Sequence, residues 1–258
     1  PIDEAGVIEK GALGPGQLIA VDMKEGGLFH DKEIKDRMAA AQPFGEWVGK
    51  INELDEELAG VTEVPMFEGE DLRKRQIAAG YTMEELEQVL APMCEDAKEA
   101  LASMGDDTPS AVLSKQYRPL SHYFRQNFSQ VTNPPIDSLR EFRVMSLKTR
   151  FGNLKNVLDQ SSAQTEIIVL ESPFVANAQW DEVTRHFNAD LVEIDCTFEE
   201  AAGENALRDA LESIRQRAED AVRSGAGHLV LTDQHQNENR VAIPMILATS
   251  AVHSWLTR

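Results

Sequence analysis

Three acidic side chains stand where an apolar run gives out. The run 167–170 ends in Glu171-Ser-Pro173, 191–194 ends in Asp195-Cys-Thr197, and 229–231 ends in Thr232-Asp-Gln234 with His235 close behind. A parallel α/β sheet places its ligands at the carboxyl ends of its strands. Glu171, Asp195 and Asp233 could therefore act as general bases or as oxygen ligands to a metal, with His235 as proton shuttle. The same residues have a plainer use, because Asp and Thr directly after a strand cap the next helix. Asp106 and Asp107 are neighbours in the turn 105–109. Two such carboxylates could hold a cation or share a proton, although side chains adjacent in a turn usually diverge and stay solvated. His186, His228 and His253 have no mutual spacing that suggests a metal site. Cys94 and Cys196, the only cysteines, form no CxxC and cannot alone complete a four-ligand centre; they read as reduced, buried thiols of a cytosolic protein.

The elements that would position the strand-end groups follow from the periodicity. The three apolar runs are continuous, as strands buried on both faces are. Trp180, Val183 and Phe187 form one helical stripe, and Leu207, Leu211, Ile214, Ala218, Ala221 and Val222 a longer one. A third helix opens with Pro244 and carries Ile246, Leu247, Val252 and Leu256. Strand and helix thus alternate three times, which predicts an α/β fold of parallel βα repeats with right-handed crossovers.

The first half is less regular. Gly11-Ala-Leu-Gly-Pro-Gly16 precedes the strand-like run 17–22, the reverse of a phosphate loop, so it reads as a turn. Asp31 is placed to cap a helix carrying Ile34 and Met38. Residues 51–69 turn acidic and lose period, as a solvated linker does. Thr82-x-x-Glu85 is a capping box, and Pro92 should kink or restart its helix near Ala91. From Pro119, a stripe of Leu120, Phe124, Phe128 and Val131 predicts a short helix. It must stop at Thr132-Asn-Pro-Pro135, because Pro134 forces Asn133 out of the helical region and neither proline has a backbone N–H. Asp137 can cap the next helix, and the carbonyls of Thr132 and Asn133 with the Asn133 side chain are used by neither. Arg140, Arg143, Lys148, Arg150 and Lys155 concentrate positive charge that could face an anionic substrate, a flavin phosphate or an acidic neighbouring domain, or simply lie solvated.

The formal net charge of −19 over 258 residues argues against nucleic-acid and anionic-membrane partners. No apolar run nears the roughly 18 residues that cross a bilayer. The first residue is Pro1 and the last, Arg258, directly follows a helical pattern, so the chain reads as an excised segment.

The run Phe124-Arg-Gln-Asn-Phe-Ser-Gln-Val-Thr-Asn-Pro-Pro-Ile-Asp-Ser-Leu-Arg-Glu141 closely resembles a signature of the central domain of glutamate synthase large subunits. Phe44-Gly-Glu-Trp47, Gly80-Tyr-Thr82, Gly105-Asp-Asp-Thr-Pro-Ser-Ala-Val-Leu-Ser114 and Ile243-Pro-Met-Ile-Leu-Ala-Thr-Ser-Ala-Val-His253 resemble further segments of that family, in its order. The resemblance implies an incomplete or rudimentary TIM barrel of the FMN-linked oxidoreductase type, with an irregular helical N-terminal half. It implies an amidotransferase-domain tail and connection over 1–50, the acidic linker over 51–69, and a central domain over 70–258 that stops short of its C-terminal end. A glutaminase, this central domain and a flavin domain would share one cytoplasmic polypeptide that makes two glutamates from glutamine, 2-oxoglutarate and a reductant. The segment would hold no cofactor and no catalytic residue, FMN and a 3Fe-4S cluster lying in the adjacent domain. A small electron-transfer subunit or ferredoxin would serve the intact enzyme. The segment would space the two active sites, with Asp106, Thr132, Asn133 and Pro134 at the ammonia channel. Read without the resemblance, the chain is either an independent enzyme built on Glu171, Asp195, Asp233 and His235 or a noncatalytic α/β interaction module docking through its basic 140–155 face.

Overall fold

In the computed structural model, residues 3–96, 100, 112–115, 117–124, 136–187 and 190–258 are described. Near the start, β1 (Ala20–Asp22) and β2 (Gly27–Phe29) form an antiparallel hairpin in which Val21 faces Leu28. Its turn is closed by the Asp22 carboxylate, which accepts from the Lys24 and Glu25 backbone N–H groups. Those hydrogen bonds hold Asp22 below the ordinary carboxylate range. Helix α1 (Asp31–Ala39) follows, one residue earlier than a cap at Asp31 would give. His30 holds the cap position with its N–H on Glu33, while Asp31 accepts from the Leu18 N–H. The short helix α2 (Phe44–Val48) sets Phe44 edge-on to Trp47, ring centres 5.3 Å apart.

Residues 51–69 are more structured than their acidity predicts. They hold β3 (Asn52–Glu53) and α3 (Asp55–Ala59), with Leu54 and Leu58 buried. Two buried leucines four apart give one inward helical face, and the acidic residues around them stay in water. Next comes α4 (Gly69–Ala78). The Thr82–Glu85 capping box forms as expected, opening α5 (Met83–Glu85). A π-helical stretch over Leu86–Leu90 then passes into α6 (Ala91–Asp96), so the helix restarts at Ala91. Pro92 explains the change of register, because it has no N–H to return to the preceding turn. Cys94 on α6 is exposed, contrary to the expectation of a buried thiol. From Pro119 the chain makes one 3-10 turn, Leu120–Tyr123. Gly80 lies against it with φ 84°, where a Cβ would come within 2.3 Å of the Pro119 ring. Asp137 caps α7 (Ser138–Val144) as predicted, accepting from the Leu139 and Arg140 N–H groups at 3.1 and 3.0 Å.

The βα region departs from the expected single parallel sheet. Strand β4 (Thr149–Phe151) and β5 (Ile168–Leu170) lie in a three-stranded sheet of order β3-β5-β4, with β3 and β5 parallel. After α8 (Asn177–Arg185) come β6 (Leu191–Asp195) and β7 (Thr197–Glu199), then α9 (Ala206–Arg223), β8 (His228–Thr232), β9 (Arg240–Ala242) and α10 (Met245–Leu256). β6 and β8 pair in parallel, Leu191 facing His228 and Asp195 facing Thr232, so β6-α9-β8 is a true βαβ unit. β7 and β9 pair antiparallel beyond it. Among the described residues the sheets have two or three strands and close no barrel. Two causes are visible. β5 stops after three residues because the next backbone N–H, that of Glu171, goes to Asp55. β6 does not turn into a helix after Asp195, since Thr197-Phe-Glu continues as an extended arm.

The chain divides into two compact units, residues 1–53 with 150–170 and residues 54–149 with 171–258. In the first, Ile167 and Val169 are buried on β5 and its approach. In the second, the core gathers Ile194, Cys196, Ile214, Ala218, Ile243, Ala248 and Val252 from β6, α9, β9's end and α10. The α9 stripe is nearly as predicted, but Val222 is 45% exposed, and on α10 Ile246 is exposed while Ala248 and Ala251 face inward. Trp255 ties α10 to α9 by donating to Glu219 at 2.8 Å. No helix among the described residues is long and apolar enough to cross a membrane.

Candidate functional site

Asp195 sits at the end of β6, half-buried, and its turn folds back on it. Its Oδ1 accepts from the Thr197 N–H at 2.8 Å and the Thr197 hydroxyl at 2.7 Å. Its Oδ2 accepts from Arg240 Nη2 at 3.0 Å, and Arg240 also donates to Thr197 Oγ1 and the Thr197 carbonyl, each at 2.9 Å. Arg240 reaches this point because β9 is registered on β7, Glu199 opposite Arg240. Burial alone would raise the Asp195 carboxyl, but the two Thr197 hydrogen bonds, Arg240 and the more distant His235 outweigh it and hold the group below the ordinary range. A carboxylate so held is a weak base and stays ionised. The arrangement therefore fastens the β7-β9 arm to the end of β6, and no helix is capped by Asp195 or Thr197: α9 starts later, after Asn205.

The other strand-end groups do not join Asp195 in one constellation. Glu171 is ion-paired to Lys148 at 2.5 Å. Asp233 is exposed in the loop after β8. His235 meets Glu193, an exposed β6 residue, at 3.2 Å. The predicted acid/base or oxygen-ligand centre over Glu171, Asp195, Asp233 and His235 is thus corrected to three separate ion pairs, of Glu171, Asp195 and His235, and an exposed loop carboxylate, Asp233. Beside Asp195, Cys196 is fully buried in the core, and burial, followed by the Asp195 charge, pushes its thiol up. Of the basic run, Arg140 is ion-paired with Asp137 and Lys148 with Glu171, while Arg143, Arg150 and Lys155 are exposed. Asp106, Thr132, Asn133 and Pro134 lie outside the described residues.

Residues 74–258 match the family model for the glutamate synthase central domain. The chain belongs to the glutamate synthase central-domain family. Residues 1–47 match a second model, the class-II glutamine amidotransferases. Over its whole length the chain is 54% identical to the glutamate synthase [NADPH] large chain of Azospirillum brasilense, of which it covers 17%. It is likewise 39% identical to ferredoxin-dependent glutamate synthase 2 of Synechocystis, covering 17%, and 36% identical to glutamate synthase [NADH] of Saccharomyces cerevisiae, covering 13%. The chain spans less than a fifth of the length of each of these relatives.

The chain contains two features that spacing along the sequence does not bring out. Arg240 is 45 residues from Asp195, and nothing local marks the pair. Glu182 and His186 are four apart on or just past α8, and Glu57 of α3 comes up to them. These three place one ligand atom each within 4.8 Å of the others. The i,i+4 spacing of Glu182 and His186 was legible; the third member was hidden in a stretch read as linker.

Proposed function

We propose that the chain is the central-domain segment of a glutamate synthase large subunit, entered by the tail of a glutaminase domain and followed by a flavin domain in one cytoplasmic polypeptide. The intact enzyme would convert glutamine, 2-oxoglutarate and a reductant into two glutamates, drawing electrons through a small electron-transfer subunit or from ferredoxin. The observation that carries this reading is the succession of an amidotransferase match and a central-domain match in one chain, with relatives along its whole length that are named glutamate synthases.

The segment's own work would be spacing and walling. Ammonia is a nucleophile only while its lone pair is free, so a path between two active sites must keep out bulk water and offer no acid. Carbonyl oxygens at Thr132 and Asn133, next to the rigid Pro134, would accept hydrogen bonds and supply no proton. Asp106 would stand near the same entrance. The cysteines of this chain do not fit the three-iron cluster. Two cysteines are too few for the three thiolates of a three-iron cluster, and Cys196 is packed in the core while Cys94 is exposed. The glycine-rich stretch 11–16 leads toward β1 instead of opening a helix from a strand, as a phosphate loop does. The 3Fe-4S cluster, and with it FMN, would lie in the adjacent domain.

The test is on the native polypeptide, captured with an antibody to this segment. A product several times the 28.7 kDa of this chain with flavin and iron–sulfur absorption supports the assignment. A colourless product of this chain's size contradicts it.

A further inference from the structure

We infer that Glu57, Glu182 and His186 form a site for a divalent first-row metal ion such as Zn2+, which clasps α3 to α8. Glu182 and His186 are one helical turn apart and so project from the same side of the helix. Glu57 approaches from α3, its Oε1 3.5 Å from His186 Nε2. Ligand atoms that share a tetrahedral zinc, each a little over 2 Å from it, lie about 3.4 Å from one another. The Glu57–His186 spacing thus suits a common ion as well as a bare contact, and the Glu182 carboxylate oxygen lies within 4.8 Å of both. Two carboxylates and an imidazole are oxygen and nitrogen donors of the kind zinc takes, and three protein ligands leave a position for water.

The ligands are also held from behind. Glu63, shortly after α3, accepts from the Ala178 and Gln179 N–H groups at the start of α8, at 3.4 and 3.2 Å. Gln179 in turn donates to the Leu58 carbonyl at 3.4 Å, and Leu58 and Val183 are buried. The Glu182 and His186 side chains are only 22% and 26% exposed, so the donors are already partly desolvated. Arg185 pairs with Glu182 Oε2, leaving the other oxygen for the ion. Two carboxylates converging on one imidazole call for a positive charge between them. Arg185 supplies one such charge at Glu182 and a metal would supply another between the carboxylates; ligation needs the unprotonated form of its donors, so an ion bound here weakens on acidification.

The experiment is equilibrium dialysis of the full-length protein against buffered micromolar Zn2+ at pH 7.5 and pH 5.5, counting zinc per polypeptide. His186→Ala and Glu57→Gln are compared with the parent, and far-UV circular dichroism checks the fold. The inference expects each variant to bind one zinc fewer than the parent at pH 7.5, and the parent to lose that zinc at pH 5.5. Glu57 is 49% exposed, so Glu57→Gln separates ligation from folding should His186→Ala unfold. An unchanged zinc count in Glu57→Gln overturns the inference and leaves a plain side-chain contact between Glu57 and His186. Because the count concerns these residues alone, its failure leaves the glutamate synthase assignment standing.

Discussion

Asp195 shows how a residue that looks catalytic becomes structural. With both oxygens committed to Thr197 and Arg240, its charge is spent on holding an arm in place. Asp195→Asn should destabilise the protein by about 2 kcal/mol, because it strands a partly buried guanidinium. Adding Arg240→Gln should cost less than the two single changes summed, which urea unfolding of the double-mutant cycle would measure. The pH dependence has a definite sign. The folded carboxyl lies below its ordinary value of 3.8, so its contribution is complete above that value and is lost as the pH falls through the lower, folded one. Parent stability should therefore drop on acidification below about pH 4 by more than that of Asp195→Asn. The two cysteines differ as well. Native protein treated with a thiol reagent should label Cys94 rapidly and Cys196 only after unfolding, mapped by peptide mass; fast labelling of Cys196 would contradict its place in the core. At this scale the sequence marked the strand-end groups as polar residues with a job, but not which job. Arg240 decides it, and only the pairing of β7 with β9 brings Arg240 there.

At the level of elements, local rules did most of the work. Thr82 with Glu85, Asp137 ahead of α7 and the restart at Ala91 beside Pro92 were all legible, because each depends on residues within one turn. Strand partnership was not, since β5 takes β3 as a neighbour more than a hundred residues away. Side-chain hydrogen bonds such as Asp55 to the Glu171 N–H decide where such strands stop. The helix stripe on α9 allows a sharp check. Ile214→Ala, at 2% exposure, should cost about 3 kcal/mol through the cavity it leaves, while Val222→Ala should change stability by under about 0.5 kcal/mol. Comparable losses at the two positions would mean that α9 is rotated from the orientation described. Asp137→Ala should remove about 1 kcal/mol by exposing two N–H groups at the start of α7, read from its chemical denaturation midpoint.

For the molecule as a whole, the run 124–141 and the family segments around it carried more than any periodicity. They resemble glutamate synthases along the chain, and the family matches at 1–47 and 74–258 place this sequence there. The barrel expected from that resemblance is not what the described residues form; small sheets and a βαβ unit take its place, because the strand after Asp195 runs on into an arm. The work proposed for the segment is to space two active sites and wall the path between them. The residues proposed for that wall are Thr132 and Asn133, and their test requires the intact enzyme. Thr132→Trp and Asn133→Trp should be assayed for glutamine hydrolysed per 2-oxoglutarate converted, with released ammonia measured alongside. Hydrolysis should persist while glutamate formation from 2-oxoglutarate falls and ammonia escapes into solution. An unchanged ratio, or equal loss of both activities together with unfolding, would contradict it and leave 132–135 as a helix-to-helix turn.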